Sequence, residues 1–561
     1  MAFSRRSMML GTAAGGVTAL TLAACGGSDD GGDSGSGNGG SGGSDGGSGG
    51  GEAGAIVMIN GTEPQNPLHT TNTNEVGGGK ILQNLFSGLV YYDAEGTPQN
   101  EMAESIETED SQTYTITIAD GWTFTNGDPV TAQNFVDAWN YGANGANGQY
   151  SSYFFESIDG FADISGADAA ADATLSGLEV VDDHTFTVKL SSPQSDFPVR
   201  LGYTAYSPLP QAFFDDPEGF GEMPVGNGPY KLVAWNHNQN AELEVNPDYT
   251  GPRKPANGGL DFVFYQDQET AYNDLLSGGL DVIDAIPPSA LSSFETELGE
   301  RAVNQPAAGN ATITIHTDDP NFSGEAGALR RKAISRAVNR PEICEAIYGG
   351  TRTAATDFTT PVVNGYSESI PGNEVLTFDE AEAKKLWDEA EAIKPFEGAF
   401  SLSYNADGGH QEWVDAVCNS IRNVLGIEAA GNSYPDFKSL RDDVTNRTIE
   451  GAFRTGWQAD YPSMYNFLGP LYSSAAADGK GSNDGDYKNP EFDEALQAGL
   501  SATDEEESYT LGQKAQEILF QDLPSIPMWF NNVAGGYAET VDNVVFGWDS
   551  QPMYHQITKQ A

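Results

Sequence analysis

The chain has 561 residues, with 81 acidic side chains against 27 basic ones and a net charge of −54. The acid is spread along the chain rather than gathered in a tail, and so acidic a surface excludes nucleic acid as a partner, because phosphate binding needs a basic face. With three cysteines and no CxxC or HExxH, no metal cage of the usual kind can be built, and neither a metal nor a cofactor is expected.

Residues 1–24 read as an export signal. Arg5 and Arg6 stand in a polar start, and the apolar, Gly- and Ala-rich run from Met8 to Ala24 is too short for a stable membrane span. Its end, Leu22-Ala23-Ala24-Cys25, resembles the lipobox of bacterial lipoproteins. That resemblance implies cleavage before Cys25 and a diacylglycerol on its sulfur. Two acyl chains hold stably where one holds marginally, at ~0.8 kcal/mol per buried CH₂. Ser4-Arg5-Arg6-Ser7-Met8-Met9 is also similar to a twin-arginine signal, which implies export after folding; an ordinary basic start would serve general export.

From Gly26 to Gly54 almost every residue is Gly, Ser or Asp, a composition that cannot bury enough surface to offset its ordering entropy. Residues 25–54 are therefore expected to be a lipidated Cys and a flexible tether, with a mean reach of ~30 Å and ~100 Å at full stretch. Gly37-Asn38-Gly39-Gly40-Ser41-Gly42 fits a dinucleotide-binding pattern, but no strand precedes it and no helix follows.

Roughly 500 residues remain, enough for two or three domains. Ala55 to Asn60 reads as a strand, and Lys80 to Leu89 as a helix with Ile81, Leu82, Leu85 and Phe86 on one face. Tyr114 to Ile118 and His184 to Leu190 alternate with the period of a strand. Thr131 precedes a helical run holding Phe135, Ala138 and Trp139 and is placed to cap it. Further strands fall at Leu243 to Val245, Phe262 to Phe264 and Ala311 to His316, the last followed by a helix from about Gly327 to Asn339. Helices and short strands then alternate to Trp529-Phe530, without a repeat period. The class is α/β to α+β in more than one lobe.

No catalytic arrangement emerges. The six histidines lie in no motif with a nucleophile, and neither a G-x-S-x-G elbow nor a phosphate loop occurs. Carboxylate pairs are too abundant in so acidic a chain to mark a glycosidase. In an exported protein the remaining Cys344 and Cys418 are expected to pair as a disulfide, an expectation that rests on compartment rather than on geometry.

Several segments, in order, resemble the extracytoplasmic solute-binding proteins of ABC importers, peptide and nickel group (family 5). They are Leu85 to Asp93, Asp120-Gly121-Trp122-Thr123-Phe124 with Thr125 to Ala132, Pro224 to Leu232, Asn246-Pro247-Asp248-Tyr249, Leu329 to Ile334, and Ile526-Pro527-Met528. The resemblance implies an α/β fold of the periplasmic-binding-protein type II-like kind, two hinged lobes plus an extra domain. It places lobe I in 55–75, 204–308 and 525–561, the extra domain in 76–203, and lobe II in 309–524. Closure of the lobes on a ligand would be the signal to the permease. It also implies a non-enzymatic, monomeric receptor, lipid-anchored to the outer face of the cell membrane, that hands oligopeptides to an ABC permease.

Within that group, Arg454-Thr455-Gly456-Trp457-Gln458-Ala459-Asp460-Tyr461 is most similar to oligopeptide-binding proteins. By that likeness Asp460 meets the ligand's α-ammonium, and backbone at Gly456 and Gln458 pairs with the peptide as an added strand. Trp457 walls a side-chain pocket, with Phe437 a further wall. Arg454 and His410 match positions that meet the α-carboxylate, and Glu63 lies in a loop that lines the cleft. A third carboxylate position, Lys in such proteins, is Tyr348 here, which leaves peptide length open. The same family includes carriers of nickel chelates, oligosaccharides and haem, and an exported hydrolase or a structural surface protein are readings from other classes.

Overall fold

The computed structural model of the chain describes residues 54–559 except Asn74, so the expected export signal, Cys25 and the expected tether up to residue 53 lie outside the described residues. Ile56–Gly61 is the first strand, with Val57 and Ile59 fully buried at alternate positions. It sits inside an eleven-stranded mixed sheet. Ala429–Tyr434 forms one edge, followed by Phe400–Asn405, Ala452–Gln458, Ala302–Ile315 and Ser525–Tyr537. Val282–Ile283, Ile56–Gly61, Gly259–Phe264, Asn240–Val245 and Tyr230–Asn236 complete the order, and Arg352–Ala354 pairs with Ser525–Tyr537 off the main path.

The two longest strands of that sheet, Ala302–Ile315 and Ser525–Tyr537, run antiparallel past each other. Their register holds from Ala302 opposite Gly536 to Pro306 opposite Asn532, shifts, and resumes at Asn310 opposite Phe530. A second shift separates Ala311, opposite Trp529, from Thr312, opposite Pro527. A proline flanks each shift, as its missing N–H requires in the middle of a sheet. The apolar residues gather into separate cores, and this strand pair contributes to both, Val533 to one and Ile313 and Ile526 to the other. One holds Val57, Phe135, Trp139 and Phe262; the other holds Ile313, Leu402, Val417 and Phe520.

A second, four-stranded antiparallel sheet takes Ala103–Thr108, Thr113–Ile118, Thr185–Lys189 and Leu178–Asp182, in that spatial order. Its predicted alternation is observed: Tyr114, Ile116 and Ile118 are buried on one strand, Phe186 and Val188 on the next. The helix Ala132–Ala143 packs on it, with Phe135 and Trp139 at 5.8 and 5.5 Å from the Phe186 ring. Thr131 occupies the N-cap, and Asn134 reaches back to accept from the Thr131 backbone N–H at 2.8 Å.

Three expectations are corrected. The first helix is Val76–Leu85, four residues earlier than its apolar face suggests. It opens through three glycines, and at the first of them, Gly77, a Cβ would stand 2.6 Å from the Thr62 carbonyl oxygen. The strand expected over Ala311 to His316 begins at Ala302. Cys344 and Cys418 form no disulfide: both are free and buried. They pack as small apolar side chains in the second core, and burial pushes their thiols up to about 11 and about 12.

Candidate functional site

The strand Ala452–Gln458 pairs without a break along Ala302–Ile315, from Ile315 opposite Ala452 to Gly309 opposite Gln458. Just beyond, the Ala459 N–H donates to the Ala308 carbonyl at 2.8 Å. Hydrogen-bonding direction alternates along an antiparallel pair, so the amides and carbonyls of Gly456 and Gln458 point away from Ala302–Ile315. On that far side, Phe400–Asn405 pairs with the strand through Leu402 and Ser403 alone, opposite Ala452 and Phe453. Among the described residues, no strand covers the edge at Gly456 and Gln458, and both residues are exposed. A side chain at Gly456 would bring its Cβ to 2.7 Å from the Asn310 carbonyl oxygen, which is why the position is glycine.

Asp460 follows directly. Its backbone N–H and the Trp457 indole N–H both donate to Asn466 Oδ1, each at 3.0 Å, and Asn466 Nδ2 donates to Asp460 Oδ2 at 3.1 Å. One buried amide, at the start of the helix Tyr465–Tyr472, thus fixes both the indole and the carboxylate. Asp460 makes no ion pair among the described residues, and burial pushes its carboxyl up to about 6.

Gln458, Ala459 and Asp460 line a cavity of about 660 Å³ whose other walls include Tyr92, Tyr203 and Trp548. The Tyr92 and Trp548 rings meet edge to face at 5.3 Å. Burial, with the Asp460 charge as a further cause, raises the phenols of Tyr92 and Tyr203. Two of the basic groups of this cavity are already engaged, and burial lowers the third, His555, to about 4. Lys80 pairs with Asp284, and Arg253 pairs with Glu101 at 2.8 Å; Glu101 also accepts from Tyr249 at 2.6 Å and Ser87 at 2.9 Å. What the cavity offers a ligand is therefore carboxylate, amide and aromatic surface.

A smaller cavity, about 190 Å³, lies along the preceding stretch of the same strand, where Arg454, Gly456 and Trp457 join Phe437 and Arg441. The Arg454 guanidinium stands 5.2 Å over the Phe437 ring, and Arg441 pairs with Asp484 at 2.6 Å. Thr455 joins the hydroxyls of Thr312 and Thr314 at 2.6 and 2.7 Å. Nearby, Asp486 takes hydrogen bonds from Arg447 at 2.8 Å and His316 at 2.7 Å. Burial opposes ionisation of Asp486, yet these bonds hold its carboxyl well below the usual range.

Residues 97–479 match the family model described as bacterial extracellular solute-binding proteins, family 5. The chain belongs to this family. The oligopeptide-binding protein OppA of Bacillus subtilis is 28% identical over 487 residues, 84% of this chain and 86% of its own length. A solved structure of MppA, a periplasmic murein tripeptide binding protein in an unliganded open form, covers 91% of this chain and 98% of its own. Its TM-score is 0.79 at 21% identity. The Haemophilus influenzae OppA complex with RPPGFSPFR has a TM-score of 0.67 at 25% identity, covering 91% of this chain and all of its own. The α/β periplasmic-binding-protein architecture expected from sequence is the one observed, and the family is one of binding proteins rather than enzymes.

The residues singled out in this family 5 sequence divide into three groups. Asp460 and Gln458 line the large cavity, while Arg454, Gly456, Trp457 and Phe437 line the small one. His410 and Glu63 line neither. His410 precedes the helix Gln411–Leu425 and accepts from the Trp413 indole N–H at 3.1 Å. Glu63 pairs with His237 at 2.8 Å and accepts from the Asn238 N–H at 2.8 Å. At the substituted position, the Arg352 guanidinium lies 5.1 Å over the Tyr348 ring. Asn466 was not foreseen, because nothing in its local sequence marks an amide that two distant groups will share.

Proposed function

We propose that this protein binds oligopeptides by their backbone and α-ammonium and delivers them to an ABC permease from a lipid anchor at Cys25. The observation that carries the reading is the half-buried Asp460 carboxylate, without a cationic partner among the described residues and next to the open strand edge at Gly456 and Gln458. A carboxylate so placed is suited to a cation, and an unpaired strand edge to an extended main chain. Main-chain pairing is indifferent to side chains, as a nutrient receptor needs. The Bacillus subtilis relative named as oligopeptide-binding and the Haemophilus influenzae relative solved with RPPGFSPFR support the peptide class.

The lobes we propose are 55–75, 204–308 and 525–561 for lobe I, 76–203 for the extra domain and 309–524 for lobe II. The first crossing falls in the register gap between Pro306 and Asn310; on the return strand the same gap lies opposite Asn531. The protein acts as a monomer in this reading, which sedimentation of the purified chain checks.

Asp460→Asn keeps size and hydrogen bonding to Asn466 but removes the charge. A buried ammonium left without its counter-ion should cost ~3–5 kcal/mol, more than two decades in Kd. Acetylating the peptide N-terminus should weaken binding to the native protein by a similar amount and to the variant by much less, because both changes remove one interaction. Titration calorimetry on the four combinations decides it: full additivity, or indifference of both proteins to acetylation, sinks the assignment.

A further inference from the structure

We propose that the segment from Trp548 to His555 forms a second cation seat in the large cavity, built on Asp549, which selects peptides carrying an arginine or lysine side chain. The inference rests on the peptide reading of that cavity and adds the class of peptide it prefers.

Asp549, Gln551 and Tyr554 all line the cavity that Asp460 lines. Asp549 makes no ion pair among the described residues; its carboxylate accepts only uncharged N–H groups, including that of Gln551 at 3.0 Å. Of the three basic side chains that share the cavity, Lys80 and Arg253 are engaged by Asp284 and Glu101, and burial, with the Arg253 charge nearby, lowers His555 to about 4, so that it is uncharged at neutral pH. Beside Asp549, two further polar atoms are buried with no hydrogen-bond partner among the described residues, Gln551 Oε1 and the Tyr554 hydroxyl. Tyr554 is only 4% exposed, its ring set edge to face against Phe262 at 5.4 Å. Burial, with the charges of Asp284 and Asp549 nearby, raises its phenol.

Buried polar atoms in native proteins are nearly always satisfied, so unsatisfied ones in a ligand cavity ask what satisfies them. Here the answer is constrained by type. A carboxylate and an amide oxygen accept only, and a phenol oxygen accepts as well as donates. A group that brings several N–H donors and a positive charge matches all three in type, which describes a guanidinium or an ammonium. A second acidic ligand group would be repelled. The net charge of −54 acts in the same direction at long range, drawing cationic solutes toward the protein.

The segment is held in place independently of any ligand. The Gly547 N–H donates to the Gln551 carbonyl at 2.7 Å, and the Trp548 carbonyl accepts from the Ala308 N–H at 2.9 Å. The seat is thereby tied to the long strand that carries the register gap.

The test scans one arginine through each position of a short alanine peptide and measures Kd by calorimetry. With the native protein, arginine at one position at least should bind more than about tenfold tighter than the all-alanine peptide. Asp549→Asn preserves the turn to Gln551 while removing the charge. It should bring that advantage, taken relative to the variant's own all-alanine Kd, to within about threefold. Tyr554→Phe keeps the ring and should give a partial loss, so the question stays answerable if the first variant fails to fold. No arginine advantage at any position, or an advantage that survives in the variants, overturns the seat while leaving peptide binding intact. Absence of binding by every peptide overturns the peptide reading and the seat together.

Discussion

Burial raises the Asp460 carboxyl to about 6, against an ordinary value of 3.8, because it disfavours the charge. The sign of the linkage follows from that elevation. This group's contribution to stability is fully present below about pH 4 and is lost as pH rises to about 6, an effect of about 3 kcal/mol. A peptide ammonium takes the place of the proton. Affinity should therefore fall about tenfold per pH unit below 6, and fall again above about 8, where the α-amino group loses its own charge. Calorimetry with an all-alanine peptide at pH 5, 6 and 7.5 should show the acid limb, and Asp460→Asn should abolish it. A limb of equal steepness in the variant would assign it to another group. At this scale the sequence was informative only where residues are neighbours in the chain. Asp460, Gln458 and Gly456 lie in one recognisable stretch, whereas Asn466, Asp549 and Tyr554 matter through partners or a cavity that tertiary folding brings together. His410 and Glu63, matched by local likeness, line neither cavity and meet Trp413 and His237.

The element that organises the site is the strand Ala452–Gln458, paired along one edge and open along part of the other. Gly456 is its most constrained position, since an added Cβ would meet backbone at 2.7 Å rather than a movable side chain. Gly456→Ala should push this strand from Ala302–Ile315. It should lower stability by ~1–3 kcal/mol, seen as a fall in melting temperature, and weaken peptide binding in parallel. Unchanged melting would mean that the sheet absorbs the methyl without moving. Strands with clean alternation, such as Thr113–Ile118, were legible from sequence because a half-buried sheet imposes that pattern. The first half of Ala302–Ile315 was not. Asn304, Pro306 and the residues up to Asn310 carry no strand alternation, and only pairing with Ser525–Tyr537 makes them a strand. The helix Val76–Leu85 starts earlier than its apolar face suggests for a related reason, Gly77 being set by the approach of Thr62 rather than by propensity.

For the whole molecule, the ordered set of motifs identified the family, and the two cores to which one pair of strands contributes agree with it. Attachment at Cys25 has its own check: Cys25→Ser should release the protein from the membrane fraction or leave it unprocessed, and membrane retention after correct cleavage would refute the anchor. The free thiols carry a different consequence, for how the protein matures. With pKa values of about 11 and 12, Cys344 and Cys418 are almost wholly protonated at neutral pH and enclosed by apolar neighbours. Neither is a competent nucleophile toward an oxidant. Folding of the described residues thus asks nothing of the redox state of the compartment in which it happens, and the same body can form before or after crossing the membrane. Protein refolded with an excess of reductant should match protein refolded in air in both melting temperature and peptide affinity; a drop in either under reductant would show that an oxidative step had been missed.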